Sequence, residues 1–244
     1  MLLQGGYNTY GIPIGVLGLE SYFPKPPGHI KNPSSFRFPI LYKSVKGVTV
    51  KKLLCEPSAA QLELFIAAAR ELEAEGVRAI TGSCGFLALF QRELADAVNV
   101  PVFMSSLLQV PLIYQMLRPK QKIGVITAHK ESLTPGHLQA VGADHTPICI
   151  VGMDEQPEFV DVIIEGRRNT LDLCKLEEEV VAVAVALAQN NLDVGAIVLE
   201  CTDMPPFAHR IQEKTGLPVF DLSTLTNMVG EAVNRQAYRG IMPC

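Results

Sequence analysis

A chain of 244 residues, 48% hydrophobic and 19% charged, has enough apolar material for one large core or two smaller ones, which excludes a disordered or fibrous protein. A formal charge of −4 offers no basic face to nucleic acid, and no apolar run reaches the length of a membrane span. The opening MLLQGGYNTYGIPIGV is broken by Gly, Asn and Pro and has no basic leader region, so no secretory signal is expected and the chain reads as cytoplasmic.

IPIGVLGL (12–19) reads as a buried strand. PSAAQLELFIAAARELEAEG (57–76) reads as a helix, with Pro57 near its first turn and Gly76 as its stop. VRAIT (77–81) is a strand, FLALFQRELADAV (86–98) a helix, PVFMS (101–105) a strand, and a helical stretch runs on to about Leu117. KIGVITA (122–128) opens a second series. Thr134-Pro135 starts a helix that ends near Gly142, and TPICIVGM is a strand. CKLEEEVVAVAVALAQNN (174–191) carries a helical apolar stripe, VGAIVLE (194–200) is a strand, a helix follows, and PVFDL (218–222) precedes the last helix. Strands alternating with helices imply an α/β fold with mainly parallel sheets.

The chain also repeats itself. Displaced by 117 residues, VRAITGSCGFLALFQRELADAVNVPVFMSSLLQV (77–110) lies without a gap on VGAIVLECTDMPPFAHRIQEKTGLPVFDLSTLTN (194–227), with ten identities over 34 positions. Cys84 meets Cys201, Phe90 meets Phe207, and Pro101-Val102-Phe103 meets Pro218-Val219-Phe220. IGVL (14–17) is echoed by IGVI (123–126). The expected architecture is two similar Rossmann-like lobes related by a pseudo-twofold axis. The first spans 1–117, with 218–244 packing back on it, and the second spans 118–217. The active site is expected in the cleft between them.

Six cysteines (55, 84, 149, 174, 201, 244) are too few for a disulfide scaffold, and no two form a C-x-x-C pair. Cys55, Cys149 and Cys174 read as small core residues, and Cys244 as an exposed terminal thiol. Cys84 and Cys201 differ, because each ends a strand and precedes a helix, where ligands of parallel α/β sheets bind. Their flanks are small or polar: Ser83 and Gly85 on one, Glu200, Thr202 and Asp203 on the other. Facing each other across a cleft, two thiols can remove a proton from one side of a carbon and return one to the other. Helix N-termini are expected to draw their pKa values towards neutrality. A core cysteine inherited twice by duplication would leave the same trace.

GSCGF and LECTDMPP resemble the two cysteine motifs of the aspartate/glutamate racemase superfamily, and the resemblance extends over nearly the whole chain. FPKPPGHIKNPSSFRFPILYKSVKG (23–47) resembles a proline- and glycine-rich loop after the first strand in one branch of that group. The superfamily holds cofactor-independent amino-acid racemases, hydantoin racemases, arylmalonate decarboxylases and maleate isomerases. The resemblance implies an isomerase free of pyridoxal phosphate and metal, with Cys84 and Cys201 as catalytic acid and base on a small carboxylate substrate, an acidic amino acid foremost. One departure stands out: racemases of the group follow the first cysteine with Asn and then Thr or Ser, where this chain has Gly85 and Phe86.

Ser83, Gly85, Phe86, Thr202 and Asp203 are the expected substrate contacts, together with Asn32 at the cleft mouth and Thr127 at the end of the second lobe's first strand. Glu200 and Asp203 stand between orienting a thiol and capping the next helix. Lys130 stands between ligand contact and ordinary surface charge, and His29 reads as a solvated loop residue. G-x-G-x-x-G, a P-loop and G-x-S-x-G are absent, and the five histidines are scattered, which argues against a dehydrogenase, a nucleotidase, a serine hydrolase and a metallohydrolase. Hydantoin racemisation, maleate-type isomerisation and a noncatalytic small-molecule binder remain as alternatives. The decarboxylase branch, which keeps only the second cysteine, resembles this chain less. A homodimer is expected on general frequency.

Overall fold

In a computed structural model that describes residues 2–242, eight strands form two four-stranded parallel sheets. The first contains β1 (Ile14–Glu20), β2 (Ile40–Thr49), β3 (Ala79–Gly82) and β4 (Val102–Phe103) in the order β2-β1-β3-β4. The second contains β5 (Lys122–Thr127), β6 (Ile148–Gly152), β7 (Val194–Leu199) and β8 (Val219–Phe220) in the order β6-β5-β7-β8. The same order in both halves is what the sequence repeat requires. The central strands are buried almost throughout, as near-continuous apolar runs covered on both faces must be.

Helices cover the sheets where the periodicity placed them. The helix Ala59–Ala74 begins at a capping box between Ser58 and Gln61, which satisfies two end groups that would otherwise lack partners. The helix Leu173–Asn190, capped by Asp172, buries Leu176, Val180, Ala184 and Leu187 along one stripe. The helix Leu222–Val233 returns to the first lobe, where Leu222 and Leu225 pack with Ile14, Val16, Ala79 and Phe103. The short helix Val110–Met116 correspondingly meets β5 of the second lobe. Each lobe therefore lends the other a helix. The second sheet's last strand, at 219–220, lies just beyond the expected lobe boundary at 217.

Several features differ from the sequence expectation, among them short helices at Val50–Cys55 and Pro157–Phe159. β2 occupies the last third of the segment read as a loop; most of its residues are partly buried or exposed, so the alternation of an edge strand is weak there. The segment 86–98 is split into a 3₁₀ stretch (Gly85–Phe90) and a helix (Gln91–Ala97). A π-helical turn, Val160–Ile164, stands in the second lobe where no helix was expected. Among the described residues no helix is long and apolar enough to cross a membrane.

Candidate active site

Cys84 and Cys201 sit at matching places, just past the carboxyl ends of β3 and β7, and both are buried. Each sulfur accepts a backbone N–H from two residues ahead, Phe86 and Asp203 respectively. The two turns are stitched together: the Thr202 hydroxyl donates to the Ser83 carbonyl at 2.8 Å. The Ser106 hydroxyl also crosses between lobes, to the Leu199 carbonyl at 2.7 Å. Cys149 is half-buried and donates to Asn191, whereas Cys174 is exposed at the start of its helix and not in a core as expected. The side chain of Cys55 and the whole of Cys244 lie outside the described residues.

The pseudo-symmetry extends to single hydrogen bonds. The Ser83 N–H donates to the Leu17 carbonyl, and the Glu200 N–H to the Ile126 carbonyl. The Ser83 hydroxyl accepts from the N–H of Leu19 at 2.9 Å; in the second lobe the Glu200 carboxyl accepts from the N–H of Ala128. Glu200 therefore occupies the structural role of Ser83 with a longer, ionisable side chain. Its Oε2 also accepts from the Thr127 hydroxyl at 2.8 Å, while Oε1 is buried with no hydrogen-bond partner. That oxygen lies against Gly85, where a Cβ would fall 2.2 Å from Oε1 and 2.2 Å from the Glu200 carbonyl oxygen. Gly85 is thus glycine because the Glu200 carboxyl fills the space a side chain would take. Burial pushes the Glu200 carboxyl up to about 7.

Asp203 is the second carboxyl at the cysteine turns, its side chain 10% exposed. It accepts from His29 Nε2 at 3.0 Å and from the Cys201 thiol at 3.4 Å. His29 Nδ1 accepts from the Lys31 N–H at 2.8 Å, so Nε2 carries the proton and donates. Burial holds His29 below its ordinary value and hence neutral. Burial works to raise Asp203, but His29, Lys25 and the Cys201 thiol outweigh it, and the carboxyl stays ionised. His29 is thus 2% exposed and part of the site, contrary to the solvated residue expected from sequence.

The loop that carries His29 brings two cations. Lys31 Nζ donates to the Leu19 carbonyl and the Ser21 hydroxyl at the end of β1, and Lys25 Nζ donates to the Phe23 carbonyl while lying 3.0 Å from the centre of the Phe23 ring. Burial lowers both amines, Lys25 to about 8, and Asp203 works against that in each case. An interlobe cavity of about 310 Å³ opens beside Phe23, between the β1 end and the π-helical turn. Gly28, at a φ of 103°, lets the loop press on Pro205 and Pro206, and the Ser223 hydroxyl ties down its carbonyl.

The other expected residues have defined places. Asn32 caps the short 3₁₀ turn Pro33–Ser35 and donates to the Lys25 carbonyl, so it shapes the loop. Thr127 supports Glu200, and Phe86 is buried with its ring edge-on to His137. The Lys130 N–H bonds Asp154 and the residue is exposed. The expected hydroxyl contacts of Ser83 and Thr202 are spent within the protein. The thiols themselves are corrected in direction: burial raises both, reinforced by Glu200 at Cys84 and by Asp203 and Glu200 at Cys201, where proximity to helix starts was expected to lower them. No local pattern marks Lys25 or Lys31 as a partner for a substrate carboxylate, because nothing local ties 25–31 to 200–203.

No family model matches the chain. Its fold is that of the aspartate/glutamate racemase superfamily. It superposes on an aspartate racemase homologue from Pyrococcus horikoshii with a TM-score of 0.57 at 16% identity, covering 91% of this chain and 98% of that one. Glutamate racemase from Francisella tularensis gives 0.56 at 18%, covering 93% and 85%, and an arylmalonate decarboxylase gives 0.58 at 12%, covering 92% and 94%. The curated sequence relatives carry another name. Dimethylsulfoniopropionate lyase 3 of Emiliania huxleyi is 34% identical over 227 residues, which are 88% of this chain and 58% of that protein. The dimethylsulfoniopropionate lyase of Durusdinium sp. clade D is 33% identical over 217 residues, 85% of this chain and 70% of that protein. The chain thus spans little more than half the length of the first of these. The expectation of an isomerase, an amino-acid racemase of acidic substrates, is overturned by these relatives. Two lobes with paired cysteines suit any enzyme that withdraws a proton beside a carboxylate, and they do not encode what the resulting carbanion does next. With 33% identity to a relative of which it covers 70%, the chain belongs to the dimethylsulfoniopropionate lyase family.

Proposed function

We propose that this chain is a lyase that cleaves dimethylsulfoniopropionate by β-elimination, with Cys84 as the base. The substrate carries a carboxylate at one end and a dimethylsulfonium at the other. Removal of a proton from the carbon beside the carboxylate sends its electron pair into a new C=C bond. The C–S bond then breaks and its pair leaves with sulfur, giving dimethyl sulfide, acrylate and a proton on the base. The leaving group departs neutral and needs no proton, so one base suffices and no general acid is required. A racemase needs both.

The asymmetry of the two thiols supports this division. The Cys201 proton is directed at the ionised Asp203, which favours the thiol form there. Cys84 has no such bond to a carboxylate, while a backbone N–H on the sulfur is common to both thiols. Its raised pKa means that it ionises only when positive charge arrives, and the substrate's sulfonium brings that charge into a water-poor site. Lys25 and Lys31 hold the substrate carboxylate and stabilise the charge that develops on it.

The observation that carries the reading is that relatives above 30% identity bear this name, and the unequal partners of this chain's two thiols agree with it. The test is incubation with dimethylsulfoniopropionate, with headspace chromatography for dimethyl sulfide and proton NMR for acrylate. Equimolar release of both, absent in Cys84→Ala, is expected. No release above that variant overturns the lyase reading.

A further inference from the structure

Glu200 is more than its position in the fold requires. In the first lobe Ser83 makes the equivalent backbone bonds with a neutral hydroxyl. The second lobe buries a carboxyl instead, with 0% exposure, at the expense of dehydrating a charge. Oε2 and the Ala128 N–H account for the structural role. Oε1 is left without a donor, and the backbone of Gly85, beside Cys84, is kept bare to receive it. A buried carboxylate oxygen without a donor is a fault in a purely structural residue.

We infer that Glu200 Oε1 is the counter-ion for the sulfonium of the substrate. This rests on the lyase reading and adds the residue that selects the class of cation. A sulfonium carries full positive charge and has no N–H or O–H. It therefore pairs by charge and contact with an oxygen that no donor occupies, whereas an ammonium demands several directed acceptors. Asp203, whose two oxygens are both taken by His29 and Cys201, is unsuited to that task. Glu200 precedes Cys201 in the chain and its Oε1 lies against Gly85, which follows Cys84, so a cation held there is adjacent to both cysteine turns. The same placement neutralises the carboxylate that opposes ionisation of Cys84. The sulfonium adds its positive charge at Glu200 when the substrate binds, so ionisation of Cys84 is favoured in the complex.

The test uses two unreactive probes of the same shape: 3-(trimethylammonio)propionate, an onium without N–H, and 4,4-dimethylpentanoate, its uncharged carbon isostere. Binding of each to the full chain and to Glu200→Gln is measured by calorimetry. The intact protein is expected to favour the cation by tenfold or more, about 1.4 kcal/mol. Glu200→Gln is expected to bring the two within about twofold, with the isostere's affinity almost unchanged. Glu200→Asp, which keeps the charge and withdraws it by one carbon, is expected to lie between, and serves if Glu200→Gln fails to fold. An equal preference in the variants, or no preference in the intact protein, overturns the assignment. Neither probe reports on catalysis. Failure to release dimethyl sulfide therefore defeats the lyase reading alone, and failure to discriminate the probes defeats the role of Glu200 alone.

Discussion

His29 Nε2 lies 3.0 Å from Asp203 Oδ1, a contact between residues 174 positions apart that joins the loop after β1 to the turn holding Cys201. It makes a chain in which a neutral imidazole donates to a largely shielded carboxylate and the carboxylate receives a thiol. Removing the imidazole leaves the largely shielded Asp203 with one oxygen unmatched, at a cost of about 1.5–3 kcal/mol. His29→Ala is expected to lower the melting temperature by several degrees and to weaken the hold of the loop on the second lobe. Because burial holds His29 below its ordinary value, the unfolded chain takes up a proton first as pH falls, so acid destabilises the native protein. Calorimetry at two pH values below neutrality is expected to show a shallower loss in His29→Ala than in the intact chain.

The two cysteines are expected to respond differently to serine. A hydroxyl at 201 still donates to Asp203, so Cys201→Ser retains measurable release of dimethyl sulfide. A hydroxyl at 84 is too weak an acid to serve as base, and Cys84→Ser is expected to fall by about 10²–10⁴-fold in kcat. Equal losses in both variants would return the site to a two-thiol mechanism.

Glu200 sets a pH dependence of stability that runs opposite to that of an ordinary ion-paired carboxylate. Near pH 4 and below, the group is protonated whether the chain is folded or not. Between the ordinary carboxylate range and about 7 only the folded chain keeps the proton, so rising pH favours unfolding. Above about 7 the full penalty applies, about 3 kcal/mol at most. Glu200→Gln does not titrate. It is expected to melt higher than the intact protein at pH 8 and to lose that advantage at pH 5, while binding the onium probe less well. A constant difference across pH would show that Glu200 is not strained by its burial.

Gly28 is the seat of the loop on the second lobe. A Cβ there meets Pro206 Cα at 2.8 Å on a backbone with positive φ, so Gly28→Ala forces the loop outwards and costs about 1–3 kcal/mol. Faster alkylation of Cys201 by iodoacetamide is expected, read by mass spectrometry of the labelled peptide. An unchanged rate would mean that the loop does not guard that thiol.

The sequence by itself determined the scaffold. The 117-residue repeat, the apolar strands and the capped helices specify two equivalent parallel lobes, because strand burial and helix periodicity are properties of short stretches. It also singled out Cys84 and Cys201, since a thiol at the same strand end in both copies is visible by alignment of the chain with itself. Only the tertiary structure decided what surrounds them. The pairing of His29 with Asp203, the lysines beside them, and the fit of the Glu200 carboxyl against Gly85 join segments more than 100 residues apart, and no local pattern records a contact that loop closure makes. Burial then reversed the expected direction of the thiol pKa values, because dehydration and two neighbouring carboxyls outweigh the backbone N–H groups at the cysteine turns.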